Sequence, residues 1–331
     1  MPNIILVTGG AGFIGSNIAA QLAARGDCDV VVCDRLGDAA SGKWTNLAEA
    51  TISDLITPSE LSRYLDAART RVRAVVHMGA ISSTTEPDVD KIMDANFRLS
   101  ADIWAWCSEN RTQLIYASSA ATYGRGDAGF VDDNDARALS ALRPLNAYGF
   151  SKKFFDLYAV RAAARGEAPP AWSGLKFFNV YGPNEQHKGS QKSVVAHMHA
   201  RAARGQSALL FRSHNAAYPD GGQMRDFIYV RDCVDVVEWL LSRAEGAGIV
   251  NVGTGKSRTF ADLAAALFAA LGQPPNVEFI DTPEEIRDRY QYFTEASMAR
   301  LRGLGYESTF TSLEQGVAEY VRDYLGCDAR P

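Results

Sequence analysis

Short apolar runs rich in valine and isoleucine alternate with longer, helix-forming segments through the first half of the chain. The runs cover residues 4–7, 29–33, 73–79 and 113–119. A strand that is apolar at every position must be buried on both faces, and successive parallel strands need a long crossover, usually a helix, to connect them. The alternation therefore predicts an α/β fold built on a doubly wound parallel sheet of the Rossmann type.

The alternation of apolar runs and helix-forming segments is less regular in the second half of the chain, where loops at residues 183–191 and 213–224 interrupt it. We therefore predict a dinucleotide-binding Rossmann domain over residues 1–178 and a smaller, mainly substrate-binding domain over residues 179–331. Residues at about 225–255 again show a strand followed by a helix, and we expect this segment to return to the main sheet.

The composition is that of an ordinary globular protein, and it disfavours several classes of partner. Apolar residues make up 47% of the chain and charged residues 22%, and the net charge of −5 gives no sign of a basic surface for nucleic acid. No apolar run is long enough to span a bilayer, and the first residues enter a strand directly, without a signal peptide. We therefore expect a cytoplasmic protein that binds neither nucleic acid nor membrane.

The cysteines show no sign of a metal site or of a disulfide framework. They are odd in number and lack the spacing of metal ligands, so we expect reduced thiols and no metal. The five residues are Cys28, Cys33, Cys107, Cys233 and Cys327.

The first strand leads into a glycine-rich turn that has the spacing of a dinucleotide-binding site. Gly9, Gly12 and Gly15 stand between the apolar run and a helix-forming segment. Glycines at this spacing let backbone N–H groups approach a pyrophosphate at the positive end of the helix. Such turns also contain glycines for packing alone. Here Asp34, at the end of the second strand, is the expected partner of the adenosine ribose hydroxyls and favours nucleotide binding.

The charges beside Asp34 bear on whether NAD or NADP is the cofactor. A carboxylate that accepts the ribose hydroxyls favours NAD, whereas Arg35 and Lys43 are two cations that could hold a 2′-phosphate. The alternative is that both are solvated loop charges. We expect NADP, with NAD as the alternative.

Tyr148 and Lys152 are candidate catalytic residues. They lie four residues apart in a helix-forming segment, so both side chains project from one face. An ammonium beside a phenol lowers the pKa of the phenol from about 10 toward neutrality and makes it a usable base. Ser119, at the end of the fourth apolar run, is placed to hydrogen-bond the reacting oxygen. Lys188, in a later loop, is from the residues alone better explained as a phosphate clamp or an exposed cation.

Several stretches resemble those of known enzymes. TGGAGFIG, SSAATYG and YGFSK resemble the extended short-chain dehydrogenase/reductase superfamily, whose members act on nucleotide-linked sugars. More narrowly, HMGAISSTTE at 77–86, PLNAYGFSK at 144–152, FFNVYGPNEQHKGS at 177–190 and DRYQYFT at 288–294 resemble the ADP-glyceromanno-heptose 6-epimerase family. The likeness extends along nearly the whole chain.

The resemblance implies an isomerase that inverts C6 of ADP-glycero-manno-heptose, a precursor of the lipopolysaccharide inner core. In that family a tightly bound nicotinamide cofactor oxidises the C6 hydroxyl to a transient ketone, and hydride then returns to the opposite face. When hydride returns to the opposite face, the ketone oxygen points toward a different side of the site. One proton donor cannot easily lie within hydrogen-bond reach of both oxygen positions. The HKGS match implies that Lys188 is the second catalytic base and Tyr148 the first, with Lys152 and Ser119 completing the set. ADP-heptose as substrate and a homo-oligomer are further implications.

The matched motifs also imply residues that bind the cofactor and the substrate. The further cofactor-binding residues are Phe13, Ile14, Met78, Gly79, Ala80, Ile81, Ser82, Asn96 and Val180, together with Lys152 and Lys188. The substrate-binding residues are Asn179, Ser190, His197, Phe211, Arg212, Ser213, His214, Arg225 and Tyr290. Arg225 suits the ADP diphosphate, because a guanidinium presents two parallel N–H donors. Without the match, Asn96 is almost as well explained as a polar anchor, and His197 as a helix-face histidine without a ligand.

The chain departs from the family pattern at three places. Arg35 stands where the family commonly has Asn, and Thr57 and Pro58 fall where it has a further basic residue. Residues 212–224 form a longer segment than the pattern contains. These departures leave the nucleotide preference and the diphosphate contacts open.

Three other functions are compatible with parts of the sequence. A UDP-hexose 4-epimerase shares the fold but does not require the lysine of HKGS. A dehydratase of the superfamily usually has an acidic pair beside the serine, where this chain has Ala120 and Ala121. A non-catalytic nucleotide-sensing module tends to lose the tyrosine or the lysine, and this chain retains both. We therefore predict the 6-epimerase.

Overall fold

The structure is a computed structural model that describes residues 3–287 and 290–326. Its strands are β1 (Ile4–Thr8), β2 (Asp29–Cys33), β3 (Asp54–Ile56), β4 (Val72–His77), β5 (Gln113–Ser119), β6 (Trp172–Phe177), β7 (Asn179–Tyr181), β8 (Ala208–Phe211), β9 (Met224–Tyr229), β10 (Gly248–Val252), β11 (Ser257–Thr259) and β12 (Val277–Ile280). Its α-helices are α1 (Phe13–Arg25), α2 (Leu61–Ala68), α3 (Val89–Met93), α4 (Leu99–Glu109), α5 (Ala136–Ala141), α6 (Ala147–Ala164), α7 (Val194–Ala202), α8 (Val230–Leu241), α9 (Phe260–Ala270), α10 (Glu284–Arg287), α11 (Ala299–Gly303) and α12 (Leu313–Tyr320). In this described part of the chain, no helix combines the length and the apolar character that a membrane span needs.

Seven of the strands form one parallel sheet in the order β10–β6–β5–β4–β1–β2–β3. β1 lies between β2 and β4, with Thr8 beside both Cys33 and His77. The chain starts in the middle of the sheet, moves to one edge and then builds outward in the other direction, which is the order of a doubly wound sheet. The predicted α/β fold is therefore confirmed.

The side chains of β1 show why helices must cover both faces of this sheet. Ile5 and Val7 pack into the core beneath α1 and α8, whereas Ile4 and Leu6 pack into the core beneath α2, α4 and α6. All four side chains are at most 1% exposed. Burying each of them stabilises the fold by about 1.5–3 kcal/mol. A strand that has no polar position cannot lie at a solvent-facing surface, and this explains the continuous apolar runs of the sequence.

The remaining strands form two small sheets. β9 pairs with β7 in parallel and with β11 in antiparallel orientation, and β8 pairs with β12. Helices α7, α9 and α12 pack around them in an apolar cluster that includes Val195, Leu267 and Val317. β10 instead lies in the large sheet beside β6. The division of the chain into two domains between residues 178 and 179 stays a prediction.

The parallel order brings the carboxyl ends of the central strands to one edge of the sheet. Gly9 follows β1, Met78 follows β4, Ser119 ends β5, and Asn179 follows β6 after one residue. Ligands of open α/β sheets bind outside this edge. The topology therefore gathers candidate residues from widely separated parts of the sequence.

Candidate active site

A cleft of about 690 Å³ lies at this edge of the large sheet. The predicted site residues that line it are Gly9, Gly12, Phe13, Ile14, Gly15, Asp34, Lys43, Met78, Gly79, Ala80, Ile81, Ser82, Ser119, Tyr148, Lys152, Asn179, Val180 and Lys188. The glycine turn, the Tyr–Lys pair and the separate lysine therefore share one cleft, although they are far apart in the sequence.

The glycine turn between β1 and α1 leaves no room for side chains. Gly9 has a φ of +65°, and a Cβ on Gly15 would lie 2.1 Å from the carbonyl oxygen of Gly9. α1 begins after Gly12 without a side-chain cap, so its first N–H groups are not satisfied by a neighbouring side chain. Uncapped N–H groups at the positive end of a helix suit a phosphate ligand. The turn therefore fits the pyrophosphate of a dinucleotide.

Asp34 lies beside this turn in a small network of charges. Its Oδ2 accepts a hydrogen bond of 3.0 Å from the Ala11 N–H, and its Oδ1 accepts one of 2.7 Å from the Arg35 N–H. Lys43 Nζ lies 2.6 Å from Asp34 Oδ1 and 2.8 Å from the Arg35 carbonyl oxygen. The Lys43 ammonium therefore offsets the charge of the Asp34 carboxylate. The side chain of Arg35 is exposed and does not line the cleft.

Asn96 is buried behind the residues that line the cleft and bonds to two of the segments that form its wall. It is fully buried in a π-helical segment, Asp94–Arg98, that joins α3 to α4. Its side-chain amide bonds both the N–H and the carbonyl of Ile81, at 2.7 Å and 3.0 Å, and also donates to Ser151 Oγ at 3.0 Å. Ser151 Oγ in turn donates to the carbonyl of Tyr148. Asn96 therefore ties the loop after β4 to the first turn of α6.

Helix α6 carries Tyr148 and Lys152 into the cleft. The helix begins where the Asn146 side chain accepts a hydrogen bond of 2.8 Å from the Gly149 N–H. Lys152 is 4% exposed, and its Nζ donates to the Ala117 carbonyl at 2.7 Å. Burial lowers the pKa of Lys152 to about 8, although the Asp156 carboxylate acts in the opposite direction.

The Tyr148 phenol differs from the expectation drawn from the sequence. Burial raises its pKa, and the charge of Asp156 adds to the rise, while a side-chain hydrogen bond with Ser119 opposes it. The prediction that Lys152 lowers this pKa is wrong for the described arrangement. The reason is that the Lys152 ammonium donates to the Ala117 carbonyl, while the phenol itself is desolvated.

Lys188 reaches the same cleft from a short 3₁₀ helix, Gln186–Gln191. Its Nζ lies 5.5 Å from the centre of the Phe13 ring, over the first turn of α1. Burial lowers the pKa of Lys188, and the Glu185 carboxylate raises it to a smaller extent. Within residues 3–287 and 290–326, Lys188 forms no salt bridge. The cleft therefore holds a second desolvated ammonium beside that of Lys152.

Ser190 and His197 lie apart from the cleft. Ser190 is exposed, and its carbonyl is 3.2 Å from His197 Nε2. His197 lines a separate groove of about 380 Å³ along α7, together with Arg201 and Arg204. The structure does not bring these two residues together with Tyr148, and their role in substrate binding stays a prediction.

Arg225 and Tyr290 belong to an aromatic cluster that adjoins the cleft. The Arg225 guanidinium lies 5.4 Å from the Tyr290 ring and 5.6 Å from the Phe260 ring, and Phe260 lines the cleft. Phe211 packs edge-on against Tyr290 at 5.9 Å. Arg225 is 8% exposed, and its only side-chain hydrogen bond in the described chain, of 2.8 Å, goes to the Met224 carbonyl. This desolvated guanidinium has no carboxylate partner there, so it suits an anionic ligand.

Residues Arg212, Ser213 and His214 form part of the longer segment. The Arg212 guanidinium is 3.3 Å from Asp281 Oδ1, and its side chain is 52% exposed. The Ser213 N–H donates to Asp220 at 2.7 Å, and the His214 N–H donates to the Tyr292 hydroxyl at 2.9 Å. The Ser213 contact lies within the segment, whereas the other two attach the segment to Asp281 and Tyr292. None of the three residues lines the cleft.

Two residues that flank Lys188 also line the cleft and were not among the predicted site residues. His187 Nδ1 is 3.1 Å from Asn46 Nδ2, and burial, followed by the charges of Lys43 and Lys188, lowers its pKa. Glu185 is fully buried and accepts hydrogen bonds from the hydroxyls of Ser193 and Tyr320, at 2.6 Å and 3.0 Å. Their nearness to Lys188 in the sequence was the available signal, but only the fold shows which way they point.

Some predictions fall on residues outside the described part of the chain. They concern Asp288 and Arg289 of the DRYQYFT stretch and the thiol of Cys327. Among the residues that are described, no group of three or more His, Cys, Asp or Glu side chains is arranged to hold a metal ion.

Comparison with known proteins identifies a matching family and several similar proteins. Residues 5–253 match the model of the NAD dependent epimerase/dehydratase family. The ADP-L-glycero-D-manno-heptose-6-epimerase of Nitratidesulfovibrio vulgaris strain DP4 is 48% identical over 329 residues, which cover 97% of each chain. The crystal structure of the Helicobacter pylori ADP-L-glycero-D-manno-heptose-6-epimerase is 27% identical, with a TM-score of 0.80 over 96% of this chain and 95% of that one. The Thermus thermophilus UDP-glucose 4-epimerase in complex with NAD is 26% identical, with a TM-score of 0.76 over 98% of this chain and 100% of that one.

Replacing Lys152 by methionine is expected to leave the nucleotide-free chain at least as stable as the parent at about pH 7. The pKa of Lys152 drops from 10.5 to about 8 on folding, so the folded state disfavours the charged form. This cost is about 3.5 kcal/mol, since one pKa unit corresponds to about 1.4 kcal/mol. The cost is fully present below pH 8, where Lys152 is charged in both the folded and the unfolded state. It decreases between pH 8 and pH 10.5, where the folded lysine is neutral and the unfolded one is still charged, and it disappears above pH 10.5.

Urea unfolding of the parent and of Lys152→Met at about pH 7 and at about pH 9.5 measures this effect. The advantage of the variant should be smaller at the higher pH. Lys256→Met, at an exposed loop lysine, is the control and should show no pH-dependent advantage. A Lys152→Met variant that is less stable at pH 7, or one whose advantage grows with pH, would contradict the burial argument.

Proposed function

The chain belongs to the NAD dependent epimerase/dehydratase family, and from this membership we propose that it inverts C6 of ADP-glycero-manno-heptose. Its 48% identity to a relative of that name supports the choice of substrate. The observation that carries the proposal is the presence of two separate acid/base side chains, Tyr148 and Lys188, in one cleft with a dinucleotide turn. Nucleotide-linked heptose and nicotinamide cofactors are cytoplasmic metabolites, so we also propose a cytoplasmic location.

The residues of the turn are those that would hold the cofactor. The uncapped start of α1 and the glycines at positions 9, 12 and 15 would receive the pyrophosphate, and Asp34 and Lys43 would lie beside the adenosine ribose. Lys152 and the loop after β4, which also line the cleft, are assigned to the nicotinamide end of the cofactor. When bound, the nicotinamide supplies the acceptor and the donor of hydride. The protein residues bind, orient and transfer protons around that chemistry.

The reaction needs a proton acceptor and a proton donor at the C6 oxygen. When the C6 hydride leaves, the hydroxyl proton passes to one base and a ketone forms. When hydride returns to the other face of that ketone, a proton must reach the oxygen from a different direction. Tyr148 on α6 and Lys188 on the 3₁₀ helix come from separate elements of the cleft. We assign one C6 configuration to each of them, and Ser119 to the hydrogen bond that orients the oxygen.

Lys188 has the electrostatic properties that such a base requires. Burial lowers its pKa, which is the direction that a general acid/base working near neutral pH requires. An exposed phosphate clamp would keep its ordinary pKa and its hydration. The Phe13 ring and the cleft wall keep Lys188 partly out of water. Its ammonium has no salt-bridge partner among the described residues and is free to reach a substrate oxygen.

The substrate's diphosphate is assigned to Arg225. Its guanidinium is desolvated between two aromatic rings, next to the cleft wall formed by Phe260. An arginine in a low-dielectric setting binds a phosphate oxygen more strongly than an exposed one does. The neighbouring Phe211 and Tyr290 rings, which meet edge-on, add apolar surface for a nucleoside.

The parent chain is expected to interconvert the two C6 epimers of ADP-glycero-manno-heptose and to leave UDP-hexoses unchanged, as followed by proton NMR. Lys188→Met should keep its cofactor and lose net epimerisation by about 10²–10⁴-fold. It should still exchange hydride with one epimer in a single partial turnover visible in nicotinamide absorbance. Tyr148→Phe should show the opposite preference between the epimers.

Lys256→Met is the matched control, because Lys256 is an exposed loop lysine, and it should retain full activity. Rapid turnover of UDP-hexoses instead of ADP-heptose would identify a 4-epimerase of the same fold and overturn the assignment. Near-parental epimerisation by Lys188→Met would show that one acid/base group suffices and that Lys188 only clamps the substrate.

We further propose that the cofactor is NADP. The Lys43 ammonium, 2.6 Å from Asp34 Oδ1, offsets the carboxylate that would otherwise repel a 2′-phosphate. The exposed Arg35 side chain adds a second cation at the same strand end. NAD remains the alternative, because Asp34 is the type of residue that binds ribose hydroxyls and the similar Thermus thermophilus structure contains NAD.

Replacing Arg35 and Lys43 together by alanine should weaken NADP binding about ten- to hundredfold and change NAD binding much less. The removal of two cations and the exposure of an unpaired Asp34 carboxylate both act against a phosphate. Titration calorimetry with each dinucleotide measures the difference. Arg63→Ala, at an exposed arginine of α2, is the control. Equal losses for NAD and NADP would favour NAD as the natural cofactor.

We also propose that the chain forms a homo-oligomer through the outer face of α6. Phe150 and Phe154 are 44% and 41% exposed there and stack on each other at 5.8 Å. Phe97 packs edge-on against Phe154 at 4.7 Å, and Val89 on α3 is 47% exposed. A second copy that presents the same face would bury this apolar surface in a symmetric contact.

Replacing Phe150 and Phe154 together by glutamate should reduce the molar mass of the particle in light scattering, because two charges would be buried in the contact. Val131→Glu is the control, since Val131 is exposed at 59% on a different segment. An unchanged mass for the double variant, or a monomeric parent, would rule out this surface as the contact.

A further inference from the structure

A fully buried ion pair lies directly behind the Tyr–Lys–Ser group. Lys176 Nζ on β6 is 3.1 Å from Asp156 Oδ2 on α6, and both side chains are 0% exposed. Lys176 also donates to Thr122 Oγ1 at 2.6 Å and lies 4.5 Å from the centre of the Tyr123 ring. Asp156 also accepts a hydrogen bond of 3.1 Å from the Tyr116 hydroxyl. None of these five residues was among the predicted site residues.

The pair holds Ser119 from both sides. Ser118 Oγ donates to Asp156 Oδ2 at 2.7 Å, which fixes the residue before Ser119. Thr122 Oγ1 donates to the Ser119 carbonyl at 2.8 Å, and Lys176 fixes that hydroxyl by donating to it. The end of β5 is therefore attached to Asp156 on one side and to Lys176 on the other.

The pair also faces Lys152. Tyr148, Lys152 and Asp156 are spaced by four residues on α6, so their side chains lie along one stripe of the helix. Lys152 itself donates to the carbonyl of Ala117, the residue before Ser118. The ion pair and Lys152 therefore fix the same short stretch of β5 through hydrogen bonds.

Asp156 is the negative charge that acts on Lys152. The titratable groups around Lys152 are Tyr148 and Asp156 on its own helix and His77 from β4. Tyr116 from β5 and Lys176 from β6 contact Asp156, and Lys188 lines the same cleft as Lys152. Burial lowers the pKa of His77 to about 3, so it is neutral, and burial raises that of Tyr116 so that it carries no charge. Burial lowers the pKa of Lys152, and Asp156 raises it.

Stability alone does not explain a buried ion pair. Removing two charges from water opposes folding strongly, and apolar replacements of similar volume are often neutral or stabilising. This pair lies under reacting groups whose protonation the reaction depends on. A specific effect on those groups is therefore the better explanation.

We propose that the Asp156–Lys176 pair is a positioning element of the active site, which holds the end of β5 at Ser119 and places a carboxylate on the same stripe of α6 as Lys152. Asp156 supplies the negative charge. Lys176 partly neutralises that charge and also fixes the Thr122 hydroxyl by a hydrogen bond. Neither residue lines the cleft, so both act through the groups that do. The inference rests on the proposed function.

The test compares the pH profiles of kcat for the parent, Asp156→Asn and Lys176→Met. Asp156→Asn removes the negative charge, so Lys152 should lose its proton at lower pH and the alkaline limb should move down by about one pH unit. Lys176→Met leaves Asp156 unbalanced, so its alkaline limb should move up. Retained nicotinamide, measured after gel filtration across the same pH range, is a second readout and should shift in the same directions.

Asp232→Asn is the matched control, because Asp232 is a buried aspartate of α8, 4% exposed, that bonds Thr311 on the other side of the sheet. It should leave both pH profiles unchanged. If the single variants fold poorly, the double variant Asp156→Leu with Lys176→Met removes both charges together. We expect it to remain folded, although the buried hydroxyls of Ser118 and Tyr116 lose their acceptor, and to lose about tenfold or more in kcat at about pH 8.

Each outcome decides the proposal. Opposite shifts of the two single variants, or a stable but impaired double variant, support it. A double variant that has both the parent's stability and the parent's pH profile would show that the pair only fills space, and would overturn it. If the parent does not epimerise ADP-heptose, the proposed function fails. The retained nicotinamide of Asp156→Asn and Lys176→Met would then still decide whether the pair sets the charge of Lys152.

Discussion

The parallel pairing of β1 with β2 and β4 is the constraint on which the cleft depends. Because the three strands run in one direction, the glycine turn, Asp34 and the loop after β4 all emerge at the same edge of the sheet. The approach is close enough that a Cβ on Gly9 would lie 2.6 Å from the Gly79 nitrogen. The helices on both faces bury the apolar strands and keep this edge rigid. A change of register would therefore separate the cofactor turn from its ribose partner.

A second feature is the number of cations that the cleft holds away from water. Lys152, Lys188 and Arg225 all have a pKa lowered by burial, and none of them forms a salt bridge in the described part of the chain. Burying an unpaired charge opposes folding. An anionic nucleotide sugar and a dinucleotide would supply the missing negative charge. The site is therefore less stable than a fully apolar core would be, which is common where binding and catalysis require specific charges.

The candidate site was predictable from the sequence where a motif is local. The glycine turn, Asp34 and the Tyr148–Lys152 pair each depend on residues that are close in the chain, and spacing alone indicates their geometry. The pKa of Tyr148 was not predictable in this way. Desolvation raises it, a hydrogen bond with Ser119 lowers it and the charge of Asp156 raises it, while the Lys152 ammonium donates to the Ala117 carbonyl. Similarly, the exposed position of Ser190 depends on how a loop packs, and local spacing carries no information about that.

The sequence by itself determined the alternation of strands and helices, the doubly wound sheet and the position of the dinucleotide turn. These features follow from apolar periodicity and from glycine spacing, which act over a few residues. Only the tertiary structure decided that Lys188 shares a cleft with Tyr148 and that Lys176 lies against Asp156. Both contacts join distant segments, and their energies depend on the exclusion of water by the surrounding fold. Burial sets the strength of a charge interaction, and burial is a property of the whole packed chain.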